Sequence, residues 1–186
     1  KQELEKKYKI KLNSQNILLI QHPVTTENKN VEKQISETLQ AILKIKKDVI
    51  IIGPNSDTGN KFIQKKIKEV SKKNNNLIKV YENIPRQDFL GLLNNCGVLV
   101  GNSSSGIIEA SLFKIPVVNI GIRQKNREHG PNVMNVKEFS KKKIEIAIKK
   151  ALSKNKTELK ISKIYGNQRV AKKMINVLEK INVDEQ

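Results

Sequence analysis

Short, almost unbroken apolar runs alternate along the chain with segments whose apolar positions recur every three or four residues. The runs Asn16–Gln21, Asp48–Ile52, Leu77–Tyr81, Gly97–Val100 and Ile115–Ile120 each have the length of a strand. Runs without polar alternation mark strands buried on both faces, as in a parallel sheet covered by helices. Between them, Val31–Ile45 puts Ile35, Leu39, Ile42 and Leu43 on one helical stripe, and Asn60–Lys73 reads as a lysine-rich helix. Pro85 opens another helix, with Phe89, Leu90, Leu92 and Leu93 on its apolar face. Further helices are expected from Ile107 to Phe113, over Lys141–Leu152 and over Gln168–Ile181. The alternation predicts an α/β protein, a parallel sheet between two helical layers. Residues 1–15 read as a charged helix and linker entering from an upstream domain, and residues 16–186 as one domain that includes the closing helices. The polar stretch Gly121–Asn132 is too long for a tight connection, which makes it a functional candidate.

The 186 residues suffice for one core. No apolar stretch reaches the ~18 residues of a membrane span, and no signal-peptide pattern stands at the start. Because the first residue is Lys1, the chain reads as a piece of a longer protein. The lone Cys96, in apolar surroundings, reads as packing, and a reducing cytoplasm is expected. No His, Cys or carboxylate cluster has metal-ligand spacing, so neither metal nor cofactor is expected.

The net charge of +18 invites a nucleic-acid reading. Of the 36 basic residues, however, only Arg86, Arg123, Arg127 and Arg169 are arginines, and aromatics are 4%. Phosphate and base readers lean on guanidinium forks and stacking rings. Here the lysines sit on predicted helices, as at Lys65-Lys66 and Lys141–Lys143, where solvated faces account for them. No specific nucleic-acid partner is expected, although the field attracts polyanions nonspecifically.

Ligands of open parallel sheets bind beyond the carboxyl ends of the strands. The polar residues that follow strands are His22, Asn55, the Ser103–Ser105 turn and Arg123. The GNSSSG turn at 101–106 offers small residues, hydroxyls and helix N–H groups, which suits a phosphate, although a Ser/Asn cap without ligand would read the same. It is neither a Walker loop, lacking G-K-[ST], nor a nucleophile elbow. Glu109, in the first turn of the following helix, either serves the helix dipole or accepts the two hydroxyls of a ribose. Arg123 and Arg127 could clamp a diphosphate or stand free at the surface. His22 taken alone is a polar loop residue, and His129 has no functional reading.

HPVTTE at 22–27, GPNSDTG at 53–59, GNSSSGIIEA at 101–110 and NIGIRQKNRE at 119–128 together resemble the hydrolysing UDP-N-acetylglucosamine 2-epimerases of sialic-acid (nonulosonic-acid) pathways. The chain resembles their C-terminal half. The resemblance implies a Rossmann-like domain, one half of a glycosyltransferase-B-like fold. It also implies a UDP site made of His22, Asn55, the backbone near Ile84, Ser103, Ser104, Glu109 and Arg123, with His22 and Arg123 at the diphosphate, Glu109 at the ribose and Ile84 beside uracil. The implied reaction converts UDP-N-acetylglucosamine and water to N-acetylmannosamine and UDP by elimination and hydration. Proton-transfer carboxylates belong to the family's N-terminal domain, so this chain alone is expected to be inactive, and the whole enzyme to be a homo-oligomer. Alternatives are a hydrolysing epimerase for a modified sugar such as UDP-2,4-diacetamido-2,4,6-trideoxyglucose, a non-hydrolysing 2-epimerase, a nucleotide-sugar glycosyltransferase and a basic nucleic-acid module. Where the family often has glycine in its R-Q-x-G stretch this chain has Asn126, which tolerates left-handed dihedrals. Of the animal enzyme's feedback site only Lys61 matches, so feedback regulation is not expected.

Overall fold

A computed structural model describes residues 1–162, 164–166 and 170–181. Six parallel strands form one sheet: β1 (Ile17–Ile20), β2 (Val49–Ile52), β3 (Ile78–Tyr81), β4 (Val98–Gly101), β5 (Val117–Ile120) and β6 (Val133–Val136), in the order β3-β2-β1-β4-β5-β6. The helices are α1 (Gln2–Tyr8), α2 (Val31–Ile45), α3 (Asn60–Lys73), α4 (Arg86–Asn95), α5 (Lys141–Leu152) and α6 (Val170–Leu178). This is the Rossmann-like three-layer arrangement that the alternation of runs implies.

Every residue of β1, β4 and β5 is buried. Their side chains alternate between two cores. Ile17, Leu19, Val98, Val100, Val118 and Ile120 meet α2, α3 and α5 through Ile35, Leu39, Ile42, Ile63, Ile144 and Ile148. On the other face Leu18, Ile20, Leu99 and Val117 meet Tyr8, Leu92, Leu93, Cys96 and Ile107. Burial pushes the Cys96 thiol up to about 12, in keeping with a packing role. The charged first helix is seated on the body: Tyr8 donates to Asp88 Oδ2 (2.5 Å), Lys7 Nζ lies 2.6 Å from the same oxygen, and Tyr81 Oη donates to the Tyr8 carbonyl.

Three expectations change. Strand β6 stands in a stretch given no element from the sequence; it is a four-residue edge strand, half-exposed at Met134 and exposed at Asn135, so its apolar signal is weak. The helix expected over Ile107–Phe113 is a 3-10 turn, Ser104–Gly106, followed by irregular turns. Ile108 and Glu109 make i−4 bonds, but Ala110 N–H reaches back to Ser105 O, and a Schellman closure begins at once: Lys114 N–H to Ser111 O and Ile115 N–H to Ala110 O, with Lys114 at φ 54°. The last helix begins, among the described residues, at Val170; its expected start at Gln168 and the residues 182–186 lie outside them. No described helix is long and apolar enough to cross a membrane.

Gly101 ends β4 at φ +126°, and a Cβ there would stand 2.0 Å from the Ile20 carbonyl. Gly101→Ala is expected to cost about 2–4 kcal/mol of stability, from backbone strain plus displacement of β1. Urea unfolding measures it, and an unchanged midpoint would contradict this close approach.

Candidate functional site

The order of the strands reverses between β1 and β4, and the crevice of such a sheet opens there, at the carboxyl ends. Two residues beyond β1 stands His22, and directly after β4 stands Asn102. Asn102 is 1% exposed, and its amide docks on the backbone of His22: Oδ1 accepts from the His22 N–H (2.7 Å) and Nδ2 donates to the His22 carbonyl (2.9 Å). A side-chain amide carries the same donor and acceptor as a peptide, so it extends the β1–β4 pairing beyond the strands.

A ring of contacts runs from this pair across four strand ends. The Asn55 N–H, after β2, donates to His22 Nδ1 (3.0 Å), and Asn55 Nδ2 donates to Asp57 Oδ2 (2.6 Å). Asp57 Oδ2 lies 3.9 Å from Arg123 Nη2, and Arg123 Nη1 donates to the Asn102 carbonyl (3.3 Å), closing the ring after β5. Gln124 Nε2 donates to that carbonyl as well (2.9 Å). With Nδ1 accepting from a backbone N–H, the neutral imidazole carries its proton on Nε2. Burial, reinforced by the Arg123 charge and opposed by Asp57, lowers the His22 pKa from 6.5 to about 4. At neutral pH His22 is therefore an uncharged hydrogen-bond donor.

Beside the ring lies a cleft of about 310 Å³, lined by Ile20, His22, Ile52, Gly53, Ile84, Arg86, Phe89, Ser103, Ser105 and Glu109. Ser103 caps the 3-10 turn, its Oγ accepting from the Ser105 N–H (3.3 Å), while the N–H groups of Ser103 and Ser104 make no hydrogen bond among the described residues. Glu109, also on the cleft, is paired with Arg86, Oε1 to Nη1 at 3.3 Å. Ile84 and Phe89 supply an apolar side.

Four of the seven residues expected from the sequence thus line one cleft: His22, Ile84, Ser103 and Glu109. Asn55 and Arg123 belong to the ring behind it, and Ser104 follows Ser103 in the turn. Arg127 does not join Arg123: it borders a separate cavity of about 380 Å³ with Lys125, His129 and Lys137, because the chain turns away at Asn126, which adopts φ 66°. His129 is held by Asn135 Nδ2 (2.9 Å) and lies beside the Gly130 carbonyl. Lys61 lies on α3, in a groove with Gly53, Pro54 and Glu82. Asn102, Asp57 and Arg86 were not singled out as site residues from the sequence, and Phe89 was expected only as part of a helix's apolar face; Ser105 lies in the turn that was a candidate. Asn102 had one legible signal, an amide directly after a fully apolar strand inside the GNSSSG turn.

The sequence model of the family described as UDP-N-acetylglucosamine 2-epimerase matches residues 1–179. The chain belongs to that family. Among curated members, the UDP-N,N'-diacetylbacillosamine 2-epimerase (hydrolyzing) of Legionella pneumophila is 36% identical over 169 residues, which are 91% of this chain and 44% of that protein. The polysialic acid biosynthesis protein P7 of Escherichia coli is 41% identical over 139 residues, 73% of this chain and 34% of that one. The chain therefore spans less than half the length of these relatives. Among solved members, the UDP-GlcNAc 2-epimerase of Neisseria meningitidis bound to UDP-GlcNAc superposes with a TM-score of 0.71 at 17% identity, over 97% of this chain and 49% of that one. The Rickettsia bellii enzyme gives 0.71 at 16%, over 95% and 47%. The shared fold is the C-terminal half of a glycosyltransferase-B-like architecture.

The His22 shift gives a pH signature. Between pH 6.5 and about 4 the unfolded chain holds a proton that the folded chain does not. Stability therefore rises with pH across that window and is lost as pH falls through it, by at most about 3 kcal/mol. His22→Gln is expected to show a flatter profile over the same window, read as the difference between the two proteins in urea unfolding at stepped pH.

Proposed function

We propose that this domain is the UDP-binding half of a hydrolysing UDP-sugar 2-epimerase that converts UDP-N-acetylglucosamine and water to N-acetylmannosamine and UDP. The observation that carries this is the set of groups that line the cleft at the reversal of strand order. The same cleft is lined by Ser103 and Ser105 of the turn, by His22, by the Glu109 carboxylate and by Ile84 and Phe89. Diphosphate on the serines and His22, ribose hydroxyls on Glu109 and the base against Ile84 and Phe89 satisfy each group in turn.

In this reading a base removes the C2 proton while the C1–O bond to UDP breaks, and water adds to the resulting glycal to give the free 2-epimer. The negative charge that grows on the departing diphosphate meets the Ser103 and Ser104 N–H groups, the neutral His22 donor and the Arg123 cation, held in place before reaction by the ring. His22 thus serves the leaving group as a donor. The carboxylates that move the C2 proton are assigned to a domain upstream of residues 1–15, which also completes the sugar pocket. The enzyme is placed in the cytoplasm, as a homo-oligomer.

A second sugar is favoured by two relatives. The Legionella protein and one from Campylobacter jejuni, 34% identical, are both diacetylbacillosamine 2-epimerases. A 2,4-diacetamido-2,4,6-trideoxy sugar has the same C1 and C2 chemistry, and incubating the complete protein with either UDP-sugar alone, then comparing kcat/KM, decides between them. Turnover without an acceptor also separates an epimerase from a glycosyltransferase.

The chain of 186 residues is expected to bind UDP and to release no free N-acetylmannosamine. Arg123→Ala should weaken UDP binding by about 1.5–3 kcal/mol and, in the complete enzyme, lower kcat too, because its partner gains charge in the transition state. Glu109→Gln should chiefly raise KM, since ribose hydroxyls do not change charge. Calorimetry on the chain and steady-state kinetics on the whole enzyme check these. Unchanged UDP affinity in both variants would remove both residues from the site.

A further inference from the structure

Arg86 has no part in the nucleotide contacts assigned above, yet it stands on the rim of the cleft with its Nη1 3.3 Å from Glu109 Oε1. The two partners differ in exposure: the Arg86 side chain is 73% exposed and that of Glu109 is 15%. An ion pair with so open a cation contributes little to stability. Its geometric effect is larger. Glu109 stands in the irregular turns after Ser104–Gly106, its N–H donating to the Ser105 carbonyl, and Arg86 is its side-chain partner among the described residues. The backbone of Arg86 is held at the first turn of α4: Pro85 precedes it as the cap at φ −56°, and Asp88, two residues on, is tied to Tyr8 and Lys7 of α1. The backbone that carries Arg86 is thus held on α4, and its guanidinium reaches from there to the enclosed Glu109 carboxylate on a separate segment.

We infer that Arg86 is a positioning residue that holds Glu109 for the ribose, so that the cleft distinguishes ribonucleotides from 2′-deoxyribonucleotides. A carboxylate accepts about four hydrogen bonds, so Oε1 can keep the guanidinium while the pair of oxygens still receives two hydroxyls. Held in place, Glu109 loses no rotamer freedom when the ribose arrives. Held in place, it also cannot turn to water when the 2′-hydroxyl is missing, and an unpaired buried acceptor then penalises the deoxy ligand. Without Arg86, Glu109 swings outward, and both the affinity for the diol and the penalty for its loss diminish together.

The inference rests on the ribose reading of Glu109, and the test separates the two. UDP and 2′-deoxy-UDP are titrated calorimetrically into the wild-type chain, Arg86→Ala, Arg86→Lys, Glu109→Gln and the Arg86→Ala/Glu109→Gln double variant, with melting temperatures in parallel. Wild type should prefer UDP by about tenfold or more. Arg86→Ala should bind UDP about three- to tenfold more weakly while 2′-deoxy-UDP changes less than about twofold, which collapses the preference. Arg86→Lys should recover part of it, the double variant should equal Glu109→Gln, and all melting temperatures should match. If wild type binds no UDP, or Glu109→Gln binds both ligands as wild type does, the ribose reading falls and takes this inference with it. If Glu109→Gln loses the preference but Arg86→Ala keeps it, or loses both ligands equally, the role of Arg86 alone is overturned.

Discussion

One side-chain amide sets the geometry of the carboxyl edge. Strands β1 and β4 part company after Ile20 and Gly101, because the chain leaves in opposite directions on either side of the reversal in strand order. Asn102 delays that parting by donating to and accepting from the His22 backbone. Its own carbonyl then collects Arg123 and Gln124 from the β5 loop, so a single buried residue joins three strand ends, and His22 brings in the fourth through Asn55. Buried amides left half-satisfied are costly, which makes the arrangement close to all-or-none. Gly101 is its precondition, since any Cβ would push β1 out of reach.

The electrostatics of the site run against those of the chain. A domain with a net charge of +18 draws polyanions to its surface without distinguishing them. The cleft instead carries local polar groups: the Ser103–Ser105 turn, an imidazole kept neutral by burial and by Arg123, and the Glu109 carboxylate. A protonated His22 would bind anions more strongly in the ground state but would require desolvating a second cation beside Arg123. Orientation, fixed by the Asn55 N–H, supplies what charge does not. The abundant lysines lie mostly on helix faces, as on α3 and α5, and pair with neighbours such as Glu69 and Glu145, where they serve solvation.

Most of the architecture was legible in the order of residues. Five of the six strands and the helices from Val31 to Leu152 follow from apolar periodicity, because a strand buried on both faces and a helix buried on one leave different spacings. So were the motifs after β1, β2, β4 and β5, since a parallel sheet sends the ends of these strands to one edge. Edge strand β6 was not legible: with one face half-exposed it lacks the apolar run. Neither was the loss of the helix after Gly106, where Ala110 N–H slips to the Ser105 carbonyl and Lys114 turns left-handed to close the segment. Which strand ends meet, and through what contacts, was decided by the tertiary structure alone. The reversal in strand order makes residues 22 and 102 neighbours and turns Asn102 from one more polar letter in GNSSSG into the pivot of the site; the turn at Asn126 separates Arg123 from Arg127, and Arg86 meets Glu109 only in the folded chain. Periodicity records which side of an element is buried. It carries no record of long-range hydrogen bonds between single polar residues, which exist only once the sheet has formed.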